Sequence, residues 1–285
     1  MNDAGYTAAQ DGLAQFQARD RAEIGELGRS LAFLHGRRTP RSIVLFHGLS
    51  ASPAQFVAIA GALHERGHNV FVPRLPQHGR EDRMSPALAQ MTVNQLKACL
   101  RDSIELARGL GDEVSVAGFS LGGLLAAYAA QFGELHKAVA IVPYLGLVWL
   151  PSRFGERVAR WVLHFPNRFF WWDPWLRERQ LPVHGYPRYA THALAQGLNL
   201  ANELMAAART APPATKHMIV AINTREPAVN NRAAVKLARL WQEHGAAVTV
   251  ERLRDLPFAH DIIEPKRYPD IAQRVLPRLV DLIDG

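Results

Sequence analysis

Cysteine occurs once in this 285-residue chain, at Cys99, so no internal disulfide can form and a reducing compartment, the cytoplasm, is the expected location. No apolar run reaches the roughly 18 residues that a membrane-spanning helix needs. The start, Met1-Asn2-Asp3-Ala4-Gly5, brings neither the basic stretch nor the apolar core of a signal peptide. Lysine is scarce, at positions 97, 137, 216, 236 and 266 only, so arginine supplies nearly all of the formal net charge of +7. Those arginines are spread along the chain and not gathered into a binding motif, which argues against a nucleic-acid partner. Internal repeats and low-complexity tracts are missing too, which removes solenoids and disordered arrays from consideration.

What remains is a globular chain with 48% hydrophobic residues, enough to cover both faces of a sheet. Strand-like runs near 42–47, 69–72, 113–118, 138–142, 217–222 and 247–253 alternate with helical patterns near 53–66, 92–108, 121–132, 229–244 and 267–283. Such alternation predicts a mostly parallel sheet with helical crossovers. In the first 40 residues the pattern predicts a helix over 8–29 and an edge strand at Leu31-Ala32-Phe33-Leu34. Cys99 falls inside a predicted helix, as a core residue.

The most informative run is Gly118-Phe119-Ser120-Leu121-Gly122. Upstream, Glu113-Val114-Ser115-Val116-Ala117 reads as a buried strand; downstream, Leu121 to Ala130 is small, apolar and helix-forming. A serine between two glycines at a strand-to-helix junction has the form of a nucleophile elbow. The turn strains the serine backbone and projects its hydroxyl off the sheet, while any Cβ at Gly118 or Gly122 would strike a neighbouring strand or helix. Acyl transfer needs two N–H donors for its oxyanion. One is the N–H of Leu121, after the serine. The other is expected on the loop after an earlier strand, and Leu49, following Ile43 to Gly48, is the candidate. His47 is expected to brace that loop. A base must reach the serine across the top of the sheet from a late loop, and His260, in Ala259-His260-Asp261, has that position. Most of the other histidines, His64 and His68 among them, are expected at the surface.

With these residues in order, the chain resembles the α/β-hydrolases of the bacterial carboxylesterase, monoacylglycerol lipase and lysophospholipase-like group. The resemblance runs from about Arg41 to the C-terminus. It rests on Leu45-Phe46-His47-Gly48-Leu49-Ser50-Ala51-Ser52-Pro53, on Val72-Pro73-Arg74-Leu75-Pro76-Gln77-His78-Gly79, on Gly118 to Gly123, and on His260. It implies an α/β-hydrolase fold, with a mostly parallel central sheet, helices on both faces and an inserted cap. It also implies an order of nucleophile, acid and histidine. In that group the acid is usually an aspartate about two residues before a small-Val pair; the matching position here is Glu226, in Glu226-Pro227-Ala228-Val229, with Asp255 and Asp261 as fallbacks. The chain then divides into an N-terminal extension of the same domain (1–40), the core (41–143 and 214–285) and a cap (144–213).

The cap holds five of the six tryptophans, at 149, 161, 171, 172 and 175, together with Phe165, Phe169 and Phe170, and Arg153, Arg157, Arg160 and Arg168. Its aromatics could line an acyl-chain channel, touch a lipid surface or simply pack as a small core, with the arginines steering anionic headgroups or solvated. The resemblance implies a serine hydrolase of carboxylic esters, of the monoacylglycerol or lysophospholipid kind, with a small-molecule ester or lipid-like substrate, no cofactor and no metal. Two other classes stay open: an acyltransferase, thioesterase or peptidase on the same fold, and a non-catalytic binding protein that kept the elbow.

Overall fold

Runs such as Ile43-Val44-Leu45-Phe46 show no polar alternation, and the fold explains why: all four side chains are wholly buried, so both faces of that strand are covered. The computed structural model describes residues 4–20, 23–150, 155–180, 182–254 and 256–285. Among these the strands are β1 (Leu31–Phe33), β2 (Thr39–Phe46), β3 (Asn69–Val72), β4 (Gly111–Phe119), β5 (Lys137–Ile141), β6 (Phe169–Trp171), β7 (Arg188–Ala190), β8 (His217–Asn223) and β9 (Ala247–Leu253). The helices are α1 (Ala4–Ala18), α2 (Val57–Glu65), α3 (Val93–Leu110), α4 (Leu121–Phe132), α5 (Gly155–Leu163), α6 (Thr191–Thr210), α7 (Asn231–Glu243) and α8 (Pro269–Asp284).

Seven strands form one sheet in the order β1-β3-β2-β4-β5-β8-β9. All pairings are parallel except β1 with β3. The register sets Phe46 beside Gly118, Phe119 beside Ile141 and Ile141 beside Ala221, so these strands finish at one end of the sheet. Loops leaving that end carry His47 to Leu49, Ser120, Thr224 to Val229 and His260. This is where a parallel α/β sheet places a ligand site.

Local chemistry marks several element starts. Thr92 and Gln95 form a reciprocal capping box at α3, and Asn230 accepts from the N–H groups of Arg232 and Ala233 at α7. Cys99 is a buried free thiol in α3, and burial pushes it up to about 12, which disfavours the thiolate and suits a packing role.

The N-terminal helix differs from expectation. It ends at Ala18, and among the described residues up to 29 only a short 3-10 turn, Glu26–Gly28, follows; residues 21 and 22 of the expected helix lie outside the described residues. Tertiary contact wins there: Gly25 donates its N–H to the carbonyl of Gly79 at 3.0 Å, and Ile24 bridges to Arg80. Leu31–Phe33 is the expected edge strand. His64 and His68 lie at the surface but are half-buried. The His64 ring stacks on His35 at 4.0 Å, and His68 pairs with Asp284 at 2.7 Å.

Between β5 and β8 the chain builds α5, the antiparallel β6–β7 pair and the long α6, which packs on both α5 and α4. Several of its aromatics stay in solvent: Trp175 is 90% exposed, Trp149 70% and Trp161 65%, so a small packed core does not account for them. Arg157, Arg160 and Arg168 are exposed, Arg160 beside Glu156 at 3.5 Å; Arg153 lies outside the described residues.

Candidate active site

Ser120 is the hinge between β4 and α4. Its backbone has φ 54° and ψ −110°, a region that residues with a Cβ seldom occupy. The conformation is held from several sides. The Ser120 N–H donates to Ile141 at 2.9 Å, and its carbonyl accepts from Leu124 and Tyr144, both at 2.9 Å. Glycine is required around it by close approach. A Cβ on Gly118 would land on the backbone of Gly122, and one on Gly122 would land on the carbonyl of Phe46. Gly48 is under less pressure, since a Cβ there would only touch the Phe119 ring at 3.4 Å.

The three residues singled out by their order along the chain meet. The Ser120 hydroxyl lies 2.9 Å from Nε2 of His260, and Nδ1 of His260 lies 2.8 Å from Oε1 of Glu226. With Nδ1–H donating to the carboxylate, Nε2 is left as the acceptor for the serine O–H. The Glu226 side chain is wholly buried. Its Oε1 also accepts from the N–H groups of Ala228 and Val229, at 2.8 and 3.2 Å, while Oε2 has no partner. The longer side chain is therefore folded back onto its own loop. Asp261 turns elsewhere, accepting from Nε2 of Gln55 at 3.3 Å, and burial raises its carboxyl above the usual range, with Glu264 adding to the effect. Asp255 lies outside the described residues.

In the loop after β2 the backbone donors on either side of Leu49 are taken. The Gly48 N–H goes to Oε1 of Gln55 at 2.9 Å, that of Ser50 to Nε2 of His78 at 3.1 Å, and that of Ala51 to the Gly48 carbonyl at 3.2 Å. The Leu49 N–H has no acceptor, and neither has that of Leu121 at the head of α4, where the helix dipole also favours an anion.

Two histidines tie this loop to the loop after β3, each reaching across to the other. His47 donates from Nδ1 to the Gly48 carbonyl at 2.9 Å and accepts the Leu75 N–H at Nε2 at 3.1 Å. His78 donates from Nδ1 to Pro76 at 2.8 Å and accepts from Ser50. Burial pushes both down, His47 well below the histidine range, helped by His78, and His78 to about 4. Both are thus neutral with one tautomer each, and a planar trans peptide whose carbonyl is held by His47 must turn the Leu49 N–H the opposite way. His47 braces the loop as expected. The parts played by His78 and Gln55 carry no local sequence signal, because they consist of contacts between distant segments.

A second serine–histidine–carboxylate chain exists: Ser52 Oγ lies 3.1 Å from Nδ1 of His184, whose Nε2 lies 2.7 Å from Glu264. Ser52 is wholly buried and spends its proton on the Leu27 carbonyl at 2.7 Å, so no substrate reaches it. Ser120 instead opens into a cavity of about 490 Å³, walled by the loops above the sheet and by Trp149, Trp171, Trp172 and Tyr189 from the segment above.

The sequence from 43 to 265 matches the alpha/beta hydrolase family. The chain belongs to that family. Its fold is shared by solved α/β-hydrolases of low sequence identity. One of the metagenome-derived lipolytic enzymes LipS and LipT superposes with a TM-score of 0.67 at 16% identity, over 91% of this chain and 98% of that one. A monoacylglycerol lipase from Paleococcus ferrophilus gives 0.67 at 16%, over 89% and 97%. A soluble variant of monoglyceride lipase from Saccharomyces cerevisiae, in complex with a substrate analogue, gives 0.64 at 12%, over 90% of each chain. No curated protein sequence matches this α/β-hydrolase. Among its described residues no helix is long and apolar enough to cross a membrane, and no group of three or more His, Cys, Asp or Glu is placed to hold a metal ion.

Proposed function

We propose that this α/β-hydrolase cleaves carboxylic esters through a covalent acyl-enzyme on Ser120. The observation that carries the reading is His260 standing between Ser120 at 2.9 Å and Glu226 at 2.8 Å, beneath a cavity and beside two unused N–H groups. Ser120 Oγ attacks the ester carbonyl carbon as Nε2 of His260 takes its proton. The oxyanion of the tetrahedral intermediate is received by the N–H groups of Leu49 and Leu121. Glu226 fixes the tautomer and stabilises the imidazolium. Nε2 then gives its proton to the leaving alcohol, and water, activated by the same nitrogen, releases the acid. The residues of the site perform these steps without a cofactor.

Monoacylglycerol- or lysophospholipid-like esters are the substrate class we favour, since most of the cavity wall is apolar or aromatic, with Arg83 and Arg267 also on it, and the lipase neighbours share the fold. The core comprises 41–143 and 214–285, with 1–40 extending it, and 144–213 acts as the cap. Its exposed Trp149, Trp161 and Trp175 are the surface for peripheral contact with lipid. A single buried thiol suits the cytoplasm, where we place the protein. Purified protein should hydrolyse p-nitrophenyl esters, and Ser120→Ala should reduce turnover to background with the melting temperature retained. Near-normal hydrolysis by Ser120→Ala would overturn the mechanism. Partition of the acyl group to added alcohols or thiols instead of water would make it a transferase.

A further inference from the structure

Residues 48–51 form a β-turn closed by the Ala51 N–H on the Gly48 carbonyl, and Ser50, third in the turn, has φ +63°. A turn with that conformation at its third residue favours glycine, because a Cβ crowds the left-handed region. Serine is kept there by hydrogen bonds at every polar group it has. Its N–H donates to Nε2 of His78 at 3.1 Å. Its carbonyl accepts the Tyr186 N–H at 2.7 Å. Its Oγ accepts the indole N–H of Trp172 at 2.7 Å and donates to the Leu49 carbonyl at 2.6 Å. Two of these four bonds come from the segment that roofs the cavity.

Relaxing the turn would reverse the Leu49–Ser50 peptide, exchanging a carbonyl for an N–H immediately next to the Leu49 donor. The backbone dipoles would then be misaligned where negative charge develops. We propose that Trp172 is a positioning residue for the reaction: its indole N–H, acting through Ser50, holds this turn in the form in which the Leu49 N–H serves the oxyanion. The inference rests on the esterase reading given above. Trp172 leaves β6 with its own N–H on the Pro187 carbonyl at 3.1 Å, and its ring packs on Tyr189 at 4.4 Å. The hairpin and Tyr189 therefore set the direction of the indole, and the same ring lines the cavity. A seated cap and a set oxyanion turn are one arrangement.

The test uses the full chain, p-nitrophenyl butyrate as substrate, and temperatures well below each variant's unfolding. W172F keeps a ring against Tyr189 and loses the N–H together with the second ring, so the glycine variants below separate the lost hydrogen bond from the lost bulk. Its kcat should fall about ten-fold or more, with KM within about two-fold, because the contact acts on the transition state. S50A, which keeps the Cβ that strains the turn but removes the acceptor, should fall similarly, and W172F/S50A should be no slower than the worse single variant. S50G should be faster than S50A. W172F/S50G should be about ten-fold faster than W172F, since glycine holds the turn unaided. A purely structural contact would lower melting temperatures and leave kcat alone. Wild-type kcat in W172F, or no gain from glycine, would overturn the proposal. Wild-type protein that a fluorophosphonate fails to label on Ser120 would instead overturn the esterase reading beneath it.

Discussion

Glu226 is the residue where this chain departs most from the group it resembles, and its surroundings say what the departure requires. One oxygen accepts from His260, Ala228 and Val229 while the other is buried without a partner. Glu226→Gln should lower kcat on the order of a thousand-fold, because an amide cannot stabilise imidazolium, with the fold retained on circular dichroism. Glu226→Asp should lose less if the loop of 228 and 229 follows the shorter side chain. A Glu226→Gln protein with undiminished kcat would remove it from the mechanism. Glu226 came from the position that the resemblance assigns to the acid, while Ser120 was legible from its strand-to-helix junction and His260 from its order after it on a late loop. The grip of His78, Trp172 and Tyr186 on Ser50 was not, since it joins segments from four parts of the chain and leaves no local pattern.

At the scale of elements, the junction of β4 with α4 is read from glycine, and glycine there is a packing requirement. Gly122→Ala would drive a methyl onto the Phe46 carbonyl, so it should cost about 3 kcal/mol or more in urea unfolding or give insoluble protein. Gly61, inside α2, has open space around its would-be Cβ and no unusual φ. Gly61→Ala should therefore stabilise by about 0.5–1 kcal/mol in the same assay. Equal effects at the two sites would mean that the elbow is not close-packed. The strands were legible because buried parallel strands are nearly continuous apolar runs. The end of α1 was not, because Gly25 and Gly28 are drawn onto Gly79 by a contact that helix propensity does not contain.

For the whole molecule, the buried neutral His47 and His78 make stability depend on pH. His78 drops from 6.5 to about 4 on folding, so the unfolded chain binds more protons throughout that window. Stability is complete above pH 6.5 and is lost as pH falls toward 4, by about 3 kcal/mol from His78 alone, and His47 adds in the same direction. Urea midpoints measured from pH 7 to pH 4 should show this slope, and His78→Asn should flatten it. A flat profile in the wild type would mean that these rings are not buried neutral. The central claim, that Ser120 is the nucleophile of an ester hydrolase, is tested most directly by peptide mapping after treatment with a fluorophosphonate. One adduct per chain is expected, on Ser120, formed in step with loss of esterase activity. Activity lost with the label on Ser52 or another serine, or activity persisting in fully labelled protein, would contradict it.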